Sequence, residues 1–536
     1  MKRRRSLFLA GFLIASGLGC QAILGIDGTT FSPDSGASDA NAGDGSTSDA
    51  TGEAGSGSLS VSPSTVRIAP GGSADVTVTI TRAGDTSDVQ VSANDLDAGV
   101  TIAPITIASG ASTGTLHVAV PASASAGAQD IAMIHASLSG AANVPLTVVV
   151  PGLPGTIDET FANGQASFGP STAIAVAVAV QSTGEIVVGG QPGGGTGWSI
   201  VRFDISGVLD ATFDTNAAET IPSGGQLSDL ALGTHDDIYA TGSNGSQLVV
   251  YHLNADGTRD NTFGTLGVAQ LGAVDYPQGS NGLSIDVQSD DRPVVVGTQN
   301  PTGSPVPILV RFATNGAWDE TFGSNGHVQL TTDQTLGGVV VLPDDRIAAG
   351  GTDTATLPLD LIAAHFTKDG AADTAFSATG FVRSGTNNEW TAGNIAIGPD
   401  AGYLTVGKNA GVTTLGCIIG LFTATGDAGT FAPLTSTGAA YDSCTSAITQ
   451  SDGHFLVTGF GGHNQQNWAY VERMLSPSAV DPSFNGGSGV LFFADHGLNP
   501  SVAFRSFYDV AIAPDSRIVA VGGVDSAGAM VVRIWP

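Results

Sequence analysis

Two phrases decide the fold: Asp319-Glu-Thr-Phe-Gly323 and, after an apolar run, Asp344-Asp-Arg-Ile-Ala-Ala-Gly350. The first recurs along the chain as Asp158-Glu-Thr-Phe161, Asp210-Ala-Thr-Phe213, Asp260-Asn-Thr-Phe263, Asp319-Glu-Thr-Phe322, Asp373-Thr-Ala-Phe376, a stretched Asp427-Ala-Gly-Thr-Phe431 and Asp481-Pro-Ser-Phe484. Its phenylalanines stand 52, 50, 59, 54, 55 and 53 residues apart. A fixed period of about 54 residues means one supersecondary unit copied round a ring or along a solenoid.

Each period has three parts. In Asp-x-Thr-Phe the aspartate can accept a backbone N–H two residues on, closing an Asx turn, and the phenylalanine can plug the space between neighbouring units. The second part is a turn between two apolar strands, as in Thr183-Gly-Glu-Ile-Val-Val-Gly189, Asp290-Asp-Arg-Pro-Val-Val-Val-Gly297 and Asp515-Ser-Arg-Ile-Val-Ala-Val-Gly522. Small and β-branched residues on both sides predict a hairpin buried between sheets. The third is another strand, as in Ile200-Val-Arg-Phe203, Leu309-Val-Arg-Phe312 and Val531-Val-Arg-Ile534. With the strand after each turn, the unit has four strands, which is one propeller blade. The chain stops just after the third strand of the seventh unit, where a turn is still owed, and Asp158–Phe161 supplies one ahead of the first unit. This phasing predicts a ring in which a strand near Gln165–Phe168 completes the last blade. The fold class expected is all-β: a seven-bladed β-propeller over 155–536, preceded by a small β-sandwich.

Composition agrees with many short strands and tight turns. Charged residues are 12% of the 536 and glycines number 75, about half and twice the usual shares. The formal net charge is −30, from 18 basic and 48 acidic residues. Nucleic-acid binding, which needs clustered Lys and Arg, is not expected.

Before the repeats the chain has three segments. Lys2, Arg3, Arg4 and Arg5 precede an apolar run, Leu7–Leu18, too short for a membrane span and suited to an export signal. With Cys20 after Gly17-Leu-Gly19 this resembles a bacterial lipoprotein signal. The resemblance implies that residues 1–19 are removed, that Cys20 is lipidated as the sole membrane anchor, and that Gln21 forwards the protein to the outer membrane or cell surface of a Gram-negative bacterium. Residues 20–58 form a Ser/Gly/Asp/Ala tether, too polar to offset its ordering entropy. In 59–151, Val76, Val78 and Ile80 alternate with threonines, as do Leu116, Val118 and Val120 with their neighbours. That period predicts antiparallel strands covered on one face, hence a sandwich. Val61-Ser-Pro-Ser64, Ala69-Pro-Gly-Gly-Ser73 and Ala98-Gly-Val100 make the segment similar to bacterial immunoglobulin-like modules, which implies a spacer.

The repeat itself resembles a named family. Asp-x-Thr-Phe-Gly, then Asp-Gly-x-Ile-x-Val-x-Gly, then Val-Arg-Phe is the pattern of the delta-60 repeat, a bacterial β-propeller-like repeat. The resemblance spans 155–536. It implies a fold and brings no catalytic residues.

Residues able to carry chemistry are sparse in pattern. The nine histidines lack zinc-site spacing; His454 and His463 are closest, and His365, where other copies carry Arg, is expected to face the surface. There is no nucleophile elbow, phosphate loop or haem motif, and the paired acids Asp290-Asp291 and Asp344-Asp345 recur in register at a turn. No catalytic residue, metal or cofactor is assigned. Trp198, Trp390 and Trp468 are read as core or rim rather than a sugar platform. In an exported chain Cys417 and Cys444 are expected to form a disulfide. The reading is a monomeric, non-enzymatic envelope protein, anchored through Cys20, whose propeller binds an unknown protein or glycan, with the loop at Asn300–Pro307 as the contact candidate. The alternative is a hydrolase or lyase using acids or metal at the ring's central opening, where the sequence reveals no inward constellation.

Overall fold

The computed structural model describes residues 57–536 apart from 95, 97–98, 126, 171–172, 193–196, 214–224, 273–275, 300–304, 332, 356–358, 386–389, 410–415, 435–441, 464–465, 494–504 and 525–527. Cys20, the signal, nearly all of the tether and most of the Asn300–Pro307 loop therefore lie outside the described residues. Those described form strands, with three single 3-10 turns at Ala162–Gly164, Pro399–Ala401 and Asn485–Gly487.

Two sheets are built from residues 58–149. Ser58–Ser62, Ser73–Thr81, Thr113–Ala119 and Thr101–Ile102 form one; Thr65–Arg67, Val144–Val149, Gln129–Ala136, Val89–Asn94 and Ile105–Ile107 form the other. They share one core in which Val76, Val78, Leu116, Val118, Ile134 and Leu146 are fully covered, while Thr77, Thr79 and Thr81 stay outside. One pairing departs from the expected antiparallel pattern. Thr65–Arg67 runs parallel to Thr147–Val149, because this short strand leaves the neighbourhood of Ser58–Ser62 and crosses to the opposite sheet.

Seven further sheets follow. Their first strands are Ile174–Val180, Gln226–Leu232, Ser280–Val287, Gln334–Val341, Trp390–Ile397, Asp442–Thr449 and Arg505–Ile512, each packed on the next, with the last packed on the first. The ring is thereby closed. A second closure is covalently out of order: Gln165–Phe168 pairs antiparallel with Gly528–Ile534, Gln165 opposite Val532 and Phe168 opposite Ala529. The last blade thus takes its outermost strand from the start of the ring, at the place indicated by the phasing of the turns.

The cores lie between blades. Val294, Val296, Leu309 and Phe322 of one sheet meet Leu336, Ile347 and Ile362 of the next, and Phe161, Val188 and Val201 meet Val519, Val521 and Val531 across the closure. A sheet covered on both faces needs apolar residues at every position. Hence Leu248–Leu253 is buried throughout. The recurrent glycine of the second strand has a separate cause. A Cβ at Gly297 would come within 2.3 Å of the Asn281 carbonyl oxygen, and one at Gly522 within 1.8 Å of that of Ser506.

Candidate functional site

Five of the seven turns build one clasp. In Asp158, Asp210, Asp260, Asp319 and Asp481, Oδ1 accepts both the backbone N–H and the hydroxyl of Thr160, Thr212, Thr262, Thr321 and Ser483. Oδ2 accepts from the third strand: Arg533 at 2.7 Å, Arg202 at 2.6 Å, Arg311 at 2.7 Å and Arg473 at 2.6 Å, with His252 at 3.0 Å for Asp260. Each guanidinium then covers the phenylalanine of its own turn, with Arg202 5.0 Å from Phe213, Arg311 4.8 Å from Phe322, Arg473 4.9 Å from Phe484 and Arg533 4.8 Å from Phe161. Phe161, Phe213, Phe263, Phe322, Phe376 and Phe484 are all buried. Charge-assisted bonds and the ring face together lock turn, strand and plug. The Thr212 hydroxyl first, and Arg202 after it, hold the Asp210 carboxyl down at about 2. The arginine is visible in Val-Arg-Phe, but its partner is not, because the pair meets only when the turn folds back over its own blade.

Two copies differ. At Asp373 the third-strand residue is His365, and it does not face the surface. It is buried, with Nδ1 2.9 Å from Asp373 and Nε2 2.6 Å from the Tyr403 hydroxyl, and its ring lies 4.6 Å from Phe376. The imidazole occupies the guanidinium's place in the clasp, and burial lowers its basicity. The copy at Asp427 is no clasp. Asp427 is exposed, and Phe431 lies half-buried in the outer strand Ala428–Pro433, 5.1 Å from Phe422. Its blade has Leu421, opposite Leu404, where the others have Arg or His, and Phe431 packs over the preceding Gly420, where a Cβ would fall 2.2 Å from its ring. The phenylalanine fills the space that the glycine leaves.

The paired acids are turn chemistry. Asp236, Asp291 and Asp345 sit at φ of 63°, 59° and 65°, and their carboxylates accept N–H and hydroxyl from Ser182, Thr234 and Ser289 of the preceding blade. His235, Asp237 and Asp291 come within 4.8 Å of one another. There Asp291 is already bonded to Thr234, and Asp237 lies 2.5 Å from His252. Trp198 and Trp468 are buried, as core residues, while the side chains of Trp390 and His463 lie outside the described residues. Cys417 and Cys444 are joined, with sulfurs 1.96 Å apart, across two neighbouring blades.

The central opening holds what the sequence did not reveal. Every first strand carries a bulge at the same place, and the residue after it is Ala177, Asp229, Ser284, Gly338, Asn394, Ser446 and Asp509 in turn. Asp229, Ser284, Asn394, Ser446 and Asp509 line a space of about 520 Å³ together with Asp286. Asp229 Oδ2 accepts the Ser284 hydroxyl at 2.8 Å and the Ile285 N–H at 3.0 Å, while Oδ1 accepts from Leu230. Ser284 in turn accepts from Val339. Asn394 donates to Ser446, Ser446 to Asp509, and Asp509 accepts the Val178 N–H across the ring closure at 2.9 Å. Asp286 accepts from Val341 at 2.7 Å. The belt therefore ties each blade to the next where a side chain is available. Burial, aided by the charge of Asp509, raises Asp229 to about 7, and burial raises Asp286 and Asp509 to about 6. Each keeps some surface on the opening, but the blades enclose it, so burial dominates. The available signal was a lone acid inside an apolar strand: Leu227-Ser-Asp-Leu230, Leu283-Ser-Ile-Asp-Val287 and Tyr508-Asp-Val510.

A family described as a beta-propeller domain of unknown function (DUF5122) matches residues 181–213 and 288–322. Each match runs from the glutamine before the hairpin turn to the plugging phenylalanine. The chain is a β-propeller protein. No curated protein matches it. Among solved structures it is similar to the polysaccharide lyase Uly1, at 12% identity and a TM-score of 0.41, over 67% of this chain and 90% of the lyase. Prolyl oligopeptidase B from Galerina marginata matches at 11% identity and a TM-score of 0.38, over 74% of this chain and about half, 52%, of the peptidase. Regucalcin, a calcium-binding protein from Agrobacterium tumefaciens, matches at 11% identity and a TM-score of 0.31, over 55% of this chain and 85% of its own. At this likeness none of their activities transfers to this propeller.

Proposed function

We propose that the protein is a non-catalytic interaction scaffold of a bacterial envelope. It would be lipidated at Cys20, held out on residues 20–58 and an immunoglobulin-like spacer, and would present the loops of a seven-bladed ring to a protein or glycan. One observation supports this most. The conspicuous ionisable residues of the repeat are bound to one another: Asp–Thr–Arg clasps at the rim, and carboxylates bonded to the next blade's N–H groups at the axis. Residues occupied in this way hold the fold, and the loops, where sequence varies between blades, are free to recognise. The mature ectodomain used as bait on envelope extract and on a glycan array is expected to retain a defined partner. Mass spectrometry of the N-terminal peptide is expected to find lipid on Cys20. Retention of nothing above background would overturn the scaffold reading.

A second reading is favoured by the axial acids. Clustered carboxyls with raised affinity for protons are a mark of general acid catalysis. On this reading the central opening would house a hydrolase or lyase. Turnover of a glycoside or peptide that disappears in Asp509→Asn, while the variant stays folded, would replace the scaffold reading with this one.

A further inference from the structure

The chain carries eighteen Lys and Arg residues, four of them in the Lys2–Arg5 run. Of the remaining fourteen, three line one cavity between the sandwich and the ring: Arg67, Arg517 and Arg533. The cavity has a volume of about 710 Å³, within the usual range for small-ligand sites. Facing it, Asp515 pairs with Arg67 and lies 3.3 Å from Arg517 Nε; behind it, Asp158 takes Arg517 at 2.9 Å and Arg533 at 2.7 Å. The lining thus carries three guanidiniums and one carboxylate, Asp515, with Asp158 behind them and Glu185, Asp204 and Asp236 standing behind the hydroxyls of the lining. Arg517 is buried, and its Nε, although 3.3 Å from Asp515, makes no aligned hydrogen bond. Burial first, then the charge of Arg533, pulls its pKa below the usual arginine range, as expected where positive charge is under-compensated.

The hydroxyls of the lining complement these donors. Thr160 donates to Asp158, Ser182 to Asp236, Thr183 to Glu185 and Ser206 to Asp204. A hydroxyl that has given its proton away offers only lone pairs to a ligand. The lining therefore offers cationic donors together with hydroxyl acceptors, Thr160 lying 3.3 Å from Arg533. We propose that this cavity binds a hydroxylated organic anion of the acidic-sugar class, its carboxylate held by the arginines and its hydroxyls donating to Thr160, Ser182, Thr183 and Ser206. A neutral sugar lacks the charge, and a simple inorganic anion lacks the hydroxyl donors. None of the residues that line it belongs to the Asn300–Pro307 loop, so it stands whether or not that loop holds a partner.

Calorimetric titration of the purified full chain with D-galacturonate, D-glucuronate, D-glucose and inorganic phosphate tests this. At least one uronate is expected to bind, and to bind about tenfold or more tighter than glucose or phosphate. Arg67→Gln, on the partly exposed member of the trio, is expected to weaken it about tenfold. Thr183→Val, which leaves the arginines intact, should weaken it severalfold, and it decides the matter if Arg67→Gln does not fold. Absence of uronate binding, parity with glucose or with phosphate, or indifference to a folded variant would each overturn the proposal.

Discussion

Replacing Asp229 by Asn separates the electrostatic character of the central opening from its hydrogen bonding. The carboxyl titrates at about 7 in the folded ring against 3.8 when free. A folded pKa raised above the unfolded one means that the folded state binds more protons between those values. The wild type is therefore most stable, as far as this group is concerned, below about pH 4 and loses stability as pH rises towards 7. A shift of about three units corresponds to about 4 kcal/mol at full ionisation, part of it owed to Asp509. At pH 5 only about 1–2 kcal/mol of that is felt. The substitution removes the whole term. Its geometry has a precedent in the ring: Asn394, at the equivalent place, accepts from Ile395 with Oδ1 and donates to Ser446 with Nδ2. A carboxamide introduced at this position in the same pose would keep Leu230 and Ser284 as partners but leave the Ile285 N–H without one, at about 1–2 kcal/mol. Asp229→Asn should then be near neutral at pH 5 and more stable than wild type by about 2–3 kcal/mol at pH 8. Urea unfolding of both proteins at the two pH values, followed by tryptophan fluorescence, measures this. A difference between the two proteins that does not change with pH, or one that shifts in favour of the wild type as pH rises from 5 to 8, would refute a buried, proton-holding carboxyl.

Arg311 is 1% exposed and Arg346 42%, so Arg311→Leu, which strands Asp319, should cost about 3–5 kcal/mol in denaturant unfolding, and Arg346→Gln about 1 kcal/mol or less. Reducing the Cys417–Cys444 bridge, which spans 27 residues, should cost about 3–4 kcal/mol; an unchanged melting temperature in reductant would contradict it. Gly522→Ala puts a methyl 1.8 Å from the Ser506 carbonyl oxygen and should cost several kcal/mol, whereas Gly110→Ala, with open space at a φ of 81°, should cost only about 1 kcal/mol from its backbone conformation. Equal losses in those two would show that the close approach in the blade is not felt.

Much of the propeller is legible in the sequence because its contacts are local or periodic. The Asx turn at Asp319–Thr321 joins residues two apart, and the plug at Phe322 announces itself by spacing. The sandwich is legible for the same reason in Val76, Val78 and Ile80. The buried place of His365 is not, because its neighbours in sequence are apolar strand residues, whereas Asp373 and Tyr403, which hold it, are brought in by the turn and the next blade. Asp427 misleads because its motif survives in sequence while its partner, the third-strand arginine, has become Leu421.

The sequence by itself determined the unit, its length, its turn and the order of its strands, since each depends on residues within one blade. Only the tertiary structure decided which side chains meet at the axis and at the junction with the sandwich. The physical reason is the bulge in every first strand. It breaks the period-two alternation by one residue, so the direction of Asp229, Ser284 and Asp509 cannot be read from their neighbours. Ring closure then brings Asp509 to the Val178 N–H and Arg533 to Asp158, pairs separated by 331 and 375 residues of chain. No local pattern encodes a contact that exists only once the last blade has taken the first strand.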